Sequence, residues 1–368
     1  MKIPYVSLSN QWKKERKDLL KLIDRTLISG QWVGGKNIEI FEKEIAKICN
    51  TKYATSLNSG TDALTLSLHL LGVKKGDEVI TTPNSFIASL SVIIHLGAKP
   101  VFVDVLSDQL MDPSKLENAI SKKTKAIMPV HLTGRICEMN KINKIAKKYK
   151  IPVIEDAAQA IGSKYFDKPS GSLSEIGCFS AHPLKNLNAA GDGGYISTNN
   201  KKIYEKFNEL KNHGMIDRNK IKNFGYVSRM DNLQAAILNY RLKKFRNVIR
   251  LRRNNFKLYE NYLDKNFVFF PEEKKHQFNT YHTFVVQTDK RDQLQKYLFK
   301  NGIGTAIHYP IPLHLQPASK SIGYKKGSFK VAEKQAKRIL TLPINQFLKK
   351  KEIKFICDKV NLFFIKKL

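Results

Sequence analysis

The spacing of apolar residues changes period several times along the chain. Trp12, Leu19, Leu20, Ile23 and Leu27 recur at helical spacing, and Ser29-Gly30 ends the run. After the WVGG turn (32–35), a second helix is predicted over Ile38 to Cys49, with Ile40, Phe41, Ile45 and Ile48 inward. Tyr53 to Leu57 then reads as a short strand. It enters Asn58-Ser-Gly-Thr61, and the ALTLSLHLL pattern that follows Asp62 is helical. Asp62 in the first turn suits the positive end of the helix dipole.

The same alternation continues. Strands are predicted at 76–83, 98–104, 124–130 and 151–155, and helices at 85–96 and 138–149. Short β-branched strands alternating with helices imply a doubly wound α/β domain with a mostly parallel sheet. A helix over 201–211 precedes a polar, basic loop to Gly225. Met230 to Leu251 reads as one long helix bridging to a second domain. That domain has strand-like HTFVVQ (282–287), a helix near 292–301, the Pro-rich HYPIPLHLQP (308–317), and helices at 328–338 and 350–363. The expected division is a large domain, 1–251, and a smaller C-terminal α+β domain, 252–368. No internal repeat or low-complexity linker is visible.

Composition narrows the class. With 368 residues, 42% hydrophobic and 10% aromatic, the chain can bury a sizeable core. Its four cysteines are far apart and form no C-x-x-C pair, which suits a reducing compartment rather than a disulfide or zinc framework. Met1 to Asn10 lacks an apolar signal-peptide core, and no apolar run nears the roughly 20 residues that span a bilayer. A soluble cytoplasmic protein, free of membrane, is expected. The net charge of +32 raises the question of nucleic acid. However, the basic residues are spread along the whole chain, without the clustering or interleaved aromatics of a nucleic-acid footprint, so no nucleic-acid partner is expected. A positive field also suits a small anionic substrate.

Candidate chemistry concentrates in CFSAHPLKNLNAAGDGG (178–194). Lys185 lies there among small and turn-forming residues, where the backbone rather than a solvated helix face would place it. Such a lysine can serve as a Schiff-base amine if its surroundings favour the neutral form. The strand-to-helix junction at 58–61 offers free N–H groups to an anion, or is simply a capped helix start. Asp156 follows the VIE strand, at the carboxyl end of the strands where ligands of such sheets sit. From position alone it could cap a helix, ligate a metal or meet a cofactor cation.

Four motifs in order, NSGTDAL (58–64), PNSFIAS (83–89), VIEDAAQAIGS (153–163) and CFSAHPLKNLNAAGDGG, resemble the DegT-type sugar-nucleotide aminotransferases, which are pyridoxal-phosphate enzymes of fold type I. The likeness covers nearly the whole chain, from SGQWVGG (29–35) to the last helix around Cys357. It implies that Lys185 holds pyridoxal 5'-phosphate as a Schiff base and then moves a proton. It also implies that Asp156 pairs with the ring nitrogen and Gln159 with the ring hydroxyl. Gly60, Thr61 and Ser180 would hold the phosphate, and Phe86 would stack on the ring. His182, Tyr309 and His314 are candidates for lining the sugar pocket, although a core or surface role for either histidine remains open. The resemblance further implies glutamate as amino donor, a nucleotide-linked keto-sugar as acceptor and a homodimer. Similarity to 3-aminotransferases favours a 3-keto-6-deoxy-hexose over a 4-keto-sugar. Relatives that dehydrate carry histidine in place of the lysine, so Lys185 favours transamination. A rival of another class is a non-enzymatic, basic regulatory protein on the same fold. One departure stands out. Members commonly carry Gly-Tyr-Asn-x-Arg, whose Asn reaches the phosphate of the neighbouring subunit, and here Val227 fills that place. Ser228 or Asn232 would have to substitute, or the contact is absent. The Gly-Asp-Gly-Gly turn (191–194) is expected only to lead the backbone out of the site.

Overall fold

The computed structural model describes residues 1–365. Strands Lys99–Phe102, Glu78–Thr81 and Thr124–Ile127 lie side by side in that order, all parallel. Parallel bridges Ile127–Val153 and Val130–Asp156 join them to the Ile154–Asp156 strand. Next come Ile176–Ser180, Gly194–Thr198 and Tyr53–Leu57. Within this sheet only Gly194–Thr198 runs against its neighbours. The sheet is therefore mostly parallel and doubly wound, as the alternation of elements predicts.

Alternation of side chains along the central strands explains why both faces are covered. Phe179 and Tyr195 point to one face, where Phe41, Ile45, Leu238 and Phe245 pack on them. Their chain neighbours Cys178 and Ile196 point to the other, into a cluster with Leu64, Leu68, Val92 and Phe207. A third cluster gathers C-terminal elements around Phe256, Tyr259, Phe284, Val286, Leu340 and Ile356. Its antiparallel pair is Phe284–Gln287 with Ile339–Leu342.

Four expectations need correction. The long helix is Asn232–Tyr262 and does not stop at Leu251. Phe245 and Ile249 pack in the cluster on the sheet while Phe256 and Tyr259 pack in a second cluster of C-terminal elements, so one continuous amphipathic face serves both. Second, Ile3 belongs to the cluster of C-terminal elements and bridges Ile303, so the first residues pack against the C-terminal part of the chain. Third, the first helix, Leu8–Ile28, buries Gln11, Leu19 and Thr26, while Trp12, Leu20 and Leu27 stay exposed. Ile40 is likewise exposed in the second helix, Lys36–Cys49, where Phe41 and Ile45 are buried. Fourth, the basic loop after residue 211 contains a small hairpin, Met215–Asp217 with Lys220–Ile221. Among the described residues, no helix is long and apolar enough to cross a membrane.

Candidate active site

Lys185 lies in the connection between the antiparallel strands Ile176–Ser180 and Gly194–Thr198, so residues 181–193 must turn back on themselves. Backbone bonds close this turn. Ala181 N donates to Gly193 O (2.7 Å), Ala189 N to Ala181 O (2.7 Å), and Lys185 N to His182 O (2.8 Å). The flanking asparagines fasten it. Asn188 Nδ2 donates to Pro183 O (2.7 Å) and Asn186 Nδ2 to Thr280 O (3.1 Å), 94 positions away. The lysine is thus placed by the backbone. Loss of solvent pulls its pKa down to about 8, and the Asp156 carboxylate opposes that shift.

Asp156 ends the Ile154–Asp156 strand and is buried. Its Oδ2 accepts from Ser89 Oγ (2.7 Å) and its Oδ1 from Ala158 N (3.3 Å). Burial raises its pKa, against the pull of these donors, Lys185 and His131. Gln159 accepts from Thr133 N at Oε1 (2.8 Å) and turns Nε2 toward the Tyr309 hydroxyl (3.4 Å). Phe86 lies near Tyr309, with ring centroids 6.1 Å apart, and is 54% exposed.

The anion seat predicted at 58–61 has a defined shape. Ser59 caps the Gly60–Leu70 helix, its hydroxyl accepting from Asp62 N (3.1 Å). Among the described residues the N–H groups of Gly60 and Thr61 have no hydrogen-bond partner. Ser180 sits against this helix start, since a Cβ on Gly60 would lie 2.7 Å from Ser180 Cβ. Gly194 approaches from the next strand, and a Cβ there would fall 2.1 Å from Ser59 O and 2.6 Å from Gly60 N. The Gly-Asp-Gly-Gly turn therefore does more than lead the backbone away. Its last glycine makes the space for the helix start. Replacing Ser59 by Ala should cost about 1 kcal/mol of stability through the lost cap, measured by urea unfolding.

The substrate-side candidates separate. His182 is exposed and lies beside the lysine. Its Nδ1 accepts from Leu184 N (3.3 Å), and burial and Lys185 lower its pKa. Tyr309 meets the site through Gln159, and its hydroxyl pKa is pushed up to about 12 by burial and Asp156. His314 is not linked to Lys185, Asp156 or Gln159 by a hydrogen bond among the described residues. It is buried against Phe102 and Phe329, with Nε2 within 3.0 Å of Glu333 Oε1, so it belongs to the packing between the 313–329 segment and the sheet edge. Three groups around Lys185 or Asp156 were not singled out from the sequence: His282 and His308 near the lysine, and Ser89 on the carboxylate. His282 and His308 both lie within electrostatic reach of Lys185, and burial lowers both pKa values, that of His308 to about 4. His308 directly precedes Tyr309 in the HYPIPLHLQP motif, which was the available signal. Ser89 carried none.

The two substitutes for the missing asparagine are both occupied within the chain. Ser228 is buried and its hydroxyl donates to Asn58 Oδ1 (3.2 Å), while Asn232 Nδ2 donates to Gln31 O (2.5 Å). Val227 is 53% exposed and offers no donor.

Residues 13–361 match the DegT/DnrJ/EryC1/StrS aminotransferase family. A Geobacillus stearothermophilus protein named "Pleiotropic regulatory protein" is 38% identical over 99% of this chain and 99% of its own length. The dTDP-3-amino-3,6-dideoxy-alpha-D-galactopyranose transaminase of Aneurinibacillus thermoaerophilus is 38% identical over 98% of this chain and 99% of its own. Among solved structures, S. venezuelae DesV in complex with a ketimine intermediate superposes with a TM-score of 0.95 at 34% identity, covering 98% of both chains. The fold is thus that of the type I pyridoxal-phosphate aminotransferases. The chain belongs to the DegT/DnrJ/EryC1/StrS aminotransferase family and is an aminotransferase.

Proposed function

We propose that this aminotransferase uses pyridoxal 5'-phosphate to move an amino group from glutamate to a nucleotide-linked 3-keto-6-deoxy-hexose. The observation that carries the reading is the meeting of three features. Lys185 is a lysine of depressed pKa, Asp156 is a buried carboxylate, and the helix start at Gly60 has free N–H groups beside Ser180. These fit the coenzyme's aldehyde, ring nitrogen and phosphate respectively. Bound there, the coenzyme would supply the carbonyl that captures amines and a ring that accepts electrons.

The chain's own residues would do the rest. Lys185 Nζ would link to the coenzyme and then carry the proton between the substrate carbon and the coenzyme carbon. Asp156 would keep the ring nitrogen protonated. The Gly60 and Thr61 N–H groups and the Ser180 hydroxyl would hold the phosphate, where the helix dipole adds to the attraction. Gln159 would meet the ring hydroxyl, and Phe86 would cover the ring. His182 and Tyr309 would border the sugar.

The name of the A. thermoaerophilus relative supports amination at C3 of a 6-deoxy sugar. A homodimer is part of the reading. Trp32, Val227 and the 99% exposed Phe224 are large apolar side chains that a second copy would cover. The regulatory alternative draws on the name of the Geobacillus relative and on the net charge of +32.

The test is an assay of purified protein with glutamate and a panel of 3-keto and 4-keto nucleotide sugars, alongside coenzyme absorbance and sedimentation. Formation of 3-amino sugar is the expected result. Product only from 4-keto sugars would move the site of amination. No coenzyme uptake together with salt-sensitive nucleic-acid binding would favour the regulatory reading.

A further inference from the structure

Two buried serines stand behind the candidate ring partner. Ser89 Oγ donates to Asp156 Oδ2 at 2.7 Å, and Ser85 Oγ lies 2.7 Å from Ser89 Oγ. Both hydroxyls are buried, and both lie in the segment 85–89 that leads into the Ala88–His95 helix. A hydroxyl has one proton to give. While Asp156 is ionised, Ser89 must spend its proton on the carboxylate, so Ser85 must be the donor to Ser89. Every hydroxyl proton in the chain is then used.

Protonating Asp156 on Oδ2 would reverse the direction. Asp156 would donate to Ser89, and Ser89 to Ser85. Ser85 would be left with a buried hydroxyl proton and no acceptor, since Ser89 is its sole hydrogen-bond partner among the described residues. A buried donor without an acceptor is costly. The arrangement is therefore asymmetric and favours the carboxylate.

We infer that Ser89, supported by Ser85, is a positioning residue that holds Asp156 ionised and aimed, so that it can pair with a protonated ring nitrogen. This rests on the coenzyme reading above. The need for such support is clear from the surroundings. Burial acts to neutralise Asp156, and the titratable groups facing it are Lys185 and His131, which favour its charge, and Tyr309 and Cys178, which as neutral groups lend it none. The serine pair supplies a charge-assisted hydrogen bond from a third direction, the helix side.

The experiment compares Ser89→Ala, Ser89→Thr and Ser85→Ala in two states. Without coenzyme, the urea midpoint of Ser89→Ala should fall further below wild type at pH 8 than at pH 4, because the lost donor served the ionised form. With coenzyme, the dissociation constant of Ser89→Ala should rise about tenfold, equivalent to one pK unit of lost pairing. Ser85→Ala should show a smaller rise, and Ser89→Thr should restore affinity. An equal loss of urea midpoint at both pH values, or coenzyme affinity within twofold of wild type, would overturn the inference. Wild-type protein that takes up no coenzyme would instead defeat the coenzyme reading, and the coenzyme-free comparison would still decide the role of the serines.

Discussion

Lys185→Ala should abolish covalent uptake of the coenzyme and lower transamination by at least about a thousandfold. The loss combines two functions in one atom. Lys185 Nζ is the amine that would link to the coenzyme and the base that would move the proton. No neighbour can replace it. His182 is the nearest by sequence, but its Nδ1 is engaged with Leu184 N, burial lowers its pKa, and an imidazole is no primary amine. His308 and His282 are held neutral by burial, and neither carries a primary amine. Absorbance near the visible edge of the ultraviolet checks the covalent link, and single-turnover kinetics check the proton transfer. Full activity in the variant would remove Lys185 from the mechanism.

The pKa of Lys185 adds a sign to this expectation. The amine titrates near 8 in the folded chain, well below an unfolded lysine. Capture of the coenzyme by the free protein should therefore accelerate from pH 6.5 to about 8 and level off above it, as the neutral amine becomes the main form. Folding stability of the coenzyme-free chain follows the same linkage. Between about pH 8 and 10.4 the unfolded chain holds the proton and the folded chain does not, so stability rises through that window. Below it, the buried ammonium carries its full cost. Lys185→Met should accordingly stabilise the coenzyme-free protein at pH 7 by about 2 kcal/mol, and the gain should vanish toward pH 10.4. The same substitution that destroys function would make the empty fold sturdier, as expected where a charged group is buried for its chemistry.

Much of this site was legible because its parts are local. A strand running into Asn-Ser-Gly-Thr and then a helical pattern specifies a helix start, and the Gly60–Leu70 helix begins there. A lysine among Pro183, Asn186 and Asn188 specifies a turn, and the turn exists. What escaped depends on contacts between distant segments. Ser89 meets Asp156 across 67 positions, and nothing in IASLS distinguishes a serine under a carboxylate from one on a helix face. His314 looked like its neighbour Tyr309, yet it turns into Phe329 and Glu333. The long helix runs on past Leu251 to Tyr262. Its inward face, Ile249, Phe256 and Tyr259, continues unbroken.

Gly194→Ala should weaken coenzyme binding by about a hundredfold while the paired control Gly191→Ala has little effect. The difference lies in what each new methyl would meet. At Gly191 the nearest group is the Gln234 amide, 3.3 Å away at the end of a flexible side chain. At Gly194 it is backbone: Ser59 O at 2.1 Å, Ser59 C at 2.2 Å and Gly60 N at 2.6 Å. Backbone cannot swing aside. Either the Gly194–Thr198 strand leaves its register with Tyr53–Leu57, or the helix start moves outward by more than 1 Å, the distance needed to restore ordinary contact. The register is pinned by five residue pairs, Tyr53–Thr198 through Leu57–Gly194, in a fully buried strand. The helix start, half exposed and fixed chiefly by the Ser59 cap, is the softer side and should yield. Its movement would take the Gly60 and Thr61 N–H groups out of line with Ser180, and two or three charge-assisted bonds to a phosphate would weaken together. Overpacking of this kind also costs about 1–3 kcal/mol of stability. Titration of the coenzyme into the free protein, with inorganic phosphate as competitor, separates the two effects. Phosphate should weaken coenzyme uptake by wild type and not by Gly194→Ala. Equal competition in both would show that the helix start, and with it the anion seat, does not depend on the missing side chain at 194.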